Sequence, residues 1–260
     1  MAKTFYYDSV GLLESTINDG TVTDSDTDNL YEFSDASSIT NEERIADQSL
    51  STAITSWGQN DAIQFDLGSA KAADFLALYS NAVEDDNVVL EVDSAATGES
   101  GARSAAITAQ LPANNWLITE FTEDSERYWR IIAASSGGLV GITEAIIGKK
   151  LAFEVNPDIG IAEQEIFGTD INTSIGGVEY AVKRHDPKST ISMNFGNISE
   201  TFKNNLQTFE SHVQNYKKFI YSEDGTTGDF HYVRLDAPIQ FQEVAFQRYS
   251  ASLILREQLS

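Results

Sequence analysis

Apolar and polar positions alternate in short bursts through the first part of the chain. In AIQFDLG, Ile63, Phe65 and Leu67 fall on one face of an extended segment. DFLALYS, NVVLEVDS, WLITEF and RYWRIIAA repeat this strand-length texture, rich in β-branched and aromatic residues and separated by Gly and Ser. Many short strands with turn residues between them predict a β-sandwich. Only TNEERIAD and AKAAD carry a brief helical pattern.

The texture changes near residue 150. KKLAFEVNPDIGIAEQEIFGTD brings in Pro157 and Gly160, which divides the chain into residues 1–152 and 153–260. Beyond the division, Ile191, Met193 and Phe195 share one face of a strand. Ser199 follows as a hydroxyl N-cap, with Glu200 where a helix dipole favours an acid. Phe202, Leu206, Phe209 and Val213 then form one stripe of an amphipathic helix. KKFIYS and FHYVRLD are strand-like and flank the turn-forming EDGTTGD. Tyr249, Ala251, Leu253 and Leu255 alternate in a final strand. Strand, helix, hairpin, strand is the order of an α+β unit with one helix lying across an antiparallel sheet.

Charge narrows the partners. The 260 residues carry 40 acids and 17 bases, a net charge of −23. Residues 1–150 hold 25 acids against 8 bases, and residues 151–260 hold 15 against 9. Such a surface repels phosphate backbones, and Lys149-Lys150, Lys183-Arg184 and Lys217-Lys218 are isolated doublets, so nucleic acid is not an expected partner. No apolar run approaches the roughly 20 residues of a membrane span. The start of the chain, MAKTFYYDSVGLLES, lacks the apolar core of a secretory signal. With no cysteine there is no disulfide scaffold and no thiolate chemistry. The expected origin is cytoplasm, with release inside a particle by lysis also open.

Candidate chemistry is sparse. FIYSEDGTTGDFHYVRLDAPIQF, residues 219–241, gathers a histidine, an arginine and several acids. Alternation places His231 beside Val233 and Leu235, the setting of a satisfied, partly buried histidine. His185 and His212 lie far off in sequence, and no Gly-x-Ser-x-Gly elbow is present, so the stretch reads as a hairpin and no catalytic residue is assigned. Asp24, Asp26, Asp28 and Asp35 match positions 1, 3, 5 and 12 of a calcium loop, although Asn29 stands where glycine is usual. Calcium is therefore one reading and a solvated acidic loop the other. No other cofactor is expected. Glu84-Asp85-Asp86 reads as an exposed turn. GESGAR and SSGGLVG are glycine-bearing loops without phosphate-binding spacing. Trp129 lies inside a strand and is expected in the core, whereas Trp57 and Trp116 adjoin loop residues and are the candidates for stacking on a sugar ring.

Two family resemblances follow from longer stretches. RIADQSLSTAITSW, NDAIQFDLGSAKAADFLALYSNAVEDDNVVLEVDS and NNWLITEFTEDSERYWRIIAASSGGLVGITEAIIG together resemble the discoidin (F5/8 type C), galactose-binding-like domain. The shared features are the Phe-Asp-Leu-Gly strand, the ERYWRI strand and the closing GITEAIIG strand. That resemblance implies a jelly-roll sandwich binding glycans, lipids or proteins through loops at one end. The cysteine pair of many members is missing here.

Residues 165–258, through YAVKRHDPKSTISMNFGNISETFKNNLQTF, KKFIYSEDG and FHYVRLDAPIQFQEVAFQRYSASLILRE, resemble the domain of phage distal tail and minor tail proteins. This implies a split barrel with one helix, assembling side by side into a ring, expected as a hexamer, that continues the tail tube. Expected partners are identical copies, tube, hub or fibre proteins, and host-surface polysaccharide. Phe219, Tyr221, Tyr232 and Arg234 are placed near the contact between copies, with Arg234 facing a neighbour's acid. The combined expectation is a non-enzymatic structural protein of the virion tail or baseplate. The alternative is a carbohydrate-binding module without catalysis.

Overall fold

The structure is a computed structural model. It describes residues 3–10, 30–33, 45, 47–54, 62–80, 87–93, 103–108, 116–133, 141–158, 162–223 and 230–258. Its elements are β1 (Thr4–Tyr7), β2 (Leu30–Phe33), β3 (Ala62–Ser80), β4 (Asn87–Asp93), β5 (Arg103–Thr108), β6 (Trp116–Ala133), β7 (Ile142–Ala152), β8 (Ala162–Thr173), β9 (Glu179–Ser199), α1 (Glu200–Val213), β10 (Phe219–Ser222), β11 (Phe230–Leu235), β12 (Gln240–Ala245) and β13 (Arg248–Glu257). Among the described residues the architecture is mainly β with one helix, and every strand pairing is antiparallel, as the alternating pattern predicts. Hydrogen bonding runs through the order β5-β4-β6-β3-β7-β1-β10-β11-β13-β9-β8, with β2 added to β3 and β12 to β13.

Two strands join the halves. β7 pairs with β3 from Ile142 to Gly148 and with β1 from Lys149 to Ala152. Gly148 marks the change of partner, because a Cβ there would collide with the Tyr7 carbonyl and the Ser9 amide nitrogen. β1 pairs on its other side with β10, so residues from the very start of the chain complete the C-terminal sheet. A division at 152/153 in sequence therefore does not follow the packing: Phe5, Tyr7 and Leu151 lie in one core with the helix. AKAAD, expected to be briefly helical, is extended inside β3, paired in part with β6. Its alanines permit a helix, but the neighbouring strand supplies the backbone partners, and tertiary pairing overrides local propensity. Most of TNEERIAD lies outside the described residues.

Three apolar clusters hold the molecule. The first, with Ile63, Phe65, Leu90, Trp129, Ile131 and Ile147, belongs to the N-terminal unit. The second packs Phe202, Leu206, Phe209 and Val213 of α1 against Ile191, Met193, Phe195, Leu253 and Leu255, with every member of the helical stripe buried. Ser199 caps α1 as expected, its hydroxyl accepting from the Phe202 amide at 3.1 Å. The third cluster, with Tyr6, Phe75, Trp116, Ile220 and Tyr232, fills the seam between the two units.

Candidate functional site

The stretch that gathered His231 and Arg234 forms a strand pair, β10 against β11, with Tyr221 opposite His231. His231 is half-buried, 3.8 Å from the Glu257 carboxylate. Contact with Glu257 pushes His231 up, and the same contact holds Glu257 below the usual carboxylate range. This is an ion pair, and Ser189 donates to the same Glu257 carboxylate, its backbone N–H at 3.2 Å.

The side chains placed at the contact between copies are used inside this chain. Phe219 sits edge-on to Phe209 with ring centres 4.9 Å apart, and Tyr221 stacks on Phe153 at 6.4 Å. Phe219, Tyr221 and Tyr232 are all buried, so none is open to a neighbour. The alternation was legible, but which face the protein's own helix and seam would cover was not. Arg234 does pair with an acid, and that acid is its own Asp236 at 3.4 Å; the guanidinium also donates to the Asn215 and Leu235 carbonyls.

Trp116 is 2 % exposed, so its ring offers no face to a sugar. It meets Tyr232 at 5.3 Å and Tyr79 at 5.0 Å in the seam. Two residues predicted for different functions, Trp116 and Tyr232, thus pack against each other. Beside them Glu144 is buried with neither oxygen in a hydrogen bond of good geometry. Burial, reinforced by Asp47, pushes Glu144 well above the carboxylate range, and burial pushes Lys218 down. Lys218 donates to the Gln48 carbonyl. These groups tie the units together.

Asp24, Asp26, Asp28, Asp35 and Trp57 lie outside the described residues, as do Glu84-Asp85-Asp86 and all of SSGGLVG but Gly141. Among the described residues, no group of three or more histidine or carboxylate side chains is arranged to hold a metal.

The feature that sequence reasoning missed is an arm. β9 pairs with β13 only from Thr190 onward, whereas its pairing with β8 continues out to Thr173 opposite Glu179. Residues 166–188 are therefore a two-stranded ribbon, extending about 30 Å at roughly 3.3 Å per residue. Its tip closes on Ser174, which accepts from Gly177 at 2.9 Å and donates its backbone N–H to the Val178 carbonyl at 2.8 Å. Gly177 has φ of +78°, a conformation suited to glycine. An Ile-Gly-Gly turn between two β-branched runs was the available signal. At the base, Gly168 lies against the His185 ring, which a Cβ there would displace, and the register shifts there.

Apolar side chains cover the ribbon without being covered themselves. Phe167 is 69 % exposed, Ile171 64 %, Tyr180 61 % and Val182 51 %. Ile175 and Val178 at the tip are exposed as well. A second exposed apolar point lies at the β12–β13 turn, with Val244 and Phe246. The ion pairs along the ribbon, Arg184 with Asp170 and Lys183 with Asp186, are solvated.

No family model and no curated protein matches the chain. Solved structures similar to part of it include carbohydrate-binding modules. A mutant of chitosan-binding module 1 from a chitosanase/glucanase of Paenibacillus sp. IK-5 has 16 % identity, covering 55 % of this chain and 98 % of that one, with a TM-score of 0.38. The CBM32 of AlyQ, in complex with 4,5-unsaturated mannuronic acid, has 24 % identity over 44 % of this chain and 85 % of that one, with a TM-score of 0.34. CpGH89CBM32-5 of Clostridium perfringens, in complex with GalNAc-β-1,3-galactose, has 12 % identity over 46 % of this chain and 95 % of that one, with a TM-score of 0.36.

Proposed function

We propose that this chain is a non-catalytic structural protein that assembles from identical copies, with the β8–β9 arm as the principal contact, in the tail or baseplate of a bacteriophage particle. The observation that carries the assembly is the uncovered apolar ribbon. A two-stranded hairpin is at best marginally stable alone in water, and apolar surface left exposed to this extent marks an interaction site. The register puts Phe167 and Ile171 on one face of the ribbon and Tyr180 and Val182 on the other, and neighbours packed on both faces would bury them, at roughly 1.5–3 kcal/mol for each large side chain fully covered. The resemblance of residues 165–258 to distal tail proteins supports the particle setting and a closed ring. The N-terminal unit would then face outward.

The test is the mass of the full chain in solution up to about 100 μM, by sedimentation velocity and mass photometry. A micromolar association shows clearly in that range. Assemblies of defined size are expected, and a Phe167→Ser/Ile171→Ser variant is expected to remain monomeric. A wild-type chain that stays monomeric throughout would overturn the reading.

A second reading gives the N-terminal unit a carbohydrate-binding role, supported by its discoidin-like strand motifs. Trp116 is removed from that role by its burial, which leaves Trp57 as the aromatic to test. Calorimetry with chitosan, uronate and galactose-bearing oligosaccharides is expected to show binding that Trp57→Ala abolishes. Flat responses from the wild type would remove this reading and leave the first intact.

A further inference from the structure

At the foot of the arm, on the sheet face turned away from α1, lies a pocket of about 160 Å³ lined by Ile166, His185, Lys188, Arg234, Arg256 and Gln258. Its charge is opposite to that of the molecule. Arg234 and Arg256 stand directly across from one another on β11 and β13, a like-charged pairing that costs stability unless an anion sits beside it. Asp236 supplies one, 3.4 Å from Arg234 and 3.0 Å from Arg256. Lys188, the third cation, makes no ion pair with any described residue. The Nε of Arg256 is buried without a hydrogen-bond partner. His185 shares its Nδ1 hydrogen with the Asp186 carbonyl at 2.7 Å, and this leaves Nε2 uncommitted. Three permanent cations and one acid thus give a local positive site on a chain of net charge −23.

We infer that this pocket receives a carboxylate side chain from a second copy of the chain, so that the arm's apolar contact is accompanied by one oriented ion pair. The inference rests on the assembly reading above and adds the chemistry that selects the partner's position. Two copies of this charge repel, and an apolar ribbon alone sets neither register nor partner. A cationic pocket beside the ribbon supplies attraction at one point, and Ile166 belongs to both surfaces. The space admits an aspartate or glutamate side chain. The rest of the chain offers acids in excess, 25 of them in residues 1–150.

The experiment compares association of the full wild-type chain with Lys188→Met, Lys188→Glu and Lys71→Glu by sedimentation equilibrium. Lys71→Glu makes the same change of charge on β3, away from the pocket. Circular dichroism confirms folding of each, and Lys188→Met, which keeps the apolar stem, guards against a misfolded charge reversal. Expected dissociation constants rise about fivefold for Lys188→Met and more than about tenfold for Lys188→Glu, with Lys71→Glu close to wild type. If both reversals weaken association equally, only overall charge matters and the pocket has no such role. If the Lys188 variants assemble like wild type while Phe167→Ser/Ile171→Ser does not, the pocket inference falls and the arm reading stands. If wild type is monomeric, both fall.

Discussion

One strand contrasts two environments. In its inner half, β9 carries Ile191, Met193 and Phe195, at most 2 % exposed beneath α1. In its outer half it carries Tyr180 and Val182, each more than half exposed. The apolar side chains are of the same kinds in both halves, although the outer half interleaves them with Lys183, Arg184, Asp186 and Lys188 and pairing with β8 reaches inward only to Ser192. What differs is the layer above and the strand beside. The inner half has a helix over one face and β13 along its edge; the outer half has neither. An apolar side chain is stabilising only where something excludes water from it, and none of the described residues does so for the outer half, which is the gap that the proposed assembly would fill.

The largest effect expected from that contrast comes from stripping the inner cover. Phe209 of α1 is fully buried, stacked on Phe5 with ring centres 4.8 Å apart. Phe209→Ala is expected to cost about 3–5 kcal/mol in urea unfolding, while Val182→Ala on the arm changes the stability of the monomer by no more than about 0.5 kcal/mol. Equal costs for the two truncations would erase the distinction between the halves. An intermediate effect is expected at the junction of strand and helix. Ser199→Ala removes the cap and should lower stability by about 1 kcal/mol, read from the shift in denaturation midpoint at unchanged slope.

The smallest effect sits where the inner half gives way to the arm. There the Glu257 carboxylate accepts from the Ser189 amide at 3.2 Å and faces His231 at 3.8 Å. His231 is raised, so its contribution is complete below the ordinary histidine value near 6.5 and fades as pH climbs through its raised value. Glu257 is lowered, so its contribution holds above the ordinary value near 4.5 and fades as pH drops through its depressed value. The pair therefore stabilises most between roughly pH 4.5 and 6.5. Unfolding midpoints at about pH 6 and 8 should show a small decline that His231→Gln flattens; an unaltered decline in that variant would assign it to other groups.

The fold was legible wherever one periodicity met one cover. The helix was marked by Ser199 and its four-residue stripe, and the strand at Ile191, Met193 and Phe195 by strict alternation. β1 was not legible, because TFYY is buried on both faces and four residues carry no period to read. The candidate contacts failed for a related reason. Alternation assigns Tyr232 to a face but cannot say that Trp116, distant in sequence, will occupy that face first. The arm escaped notice although EYAVKRHDPK interleaves its apolar residues with charge, unlike the uncharged STISMNFGNIS that follows it in the same strand. That charge pattern marks a solvated strand, but that nothing covers its apolar residues is a property of the fold. Arg234, expected to face a neighbour's acid, meets its own Asp236, on the same face of the strand.

The shared strand has a consequence for how such a protein can diversify. Because β7 changes partner at Gly148 and β1 lies between β7 and β10, the N-terminal unit is an insertion between two strands of the other body. Recombination that replaced this unit with another would have to leave Thr4–Tyr7 and Lys149–Ala152 in place. A swap cut at the obvious sequence boundary would leave β10 an open edge and turn an exchange of modules into a loss of solubility.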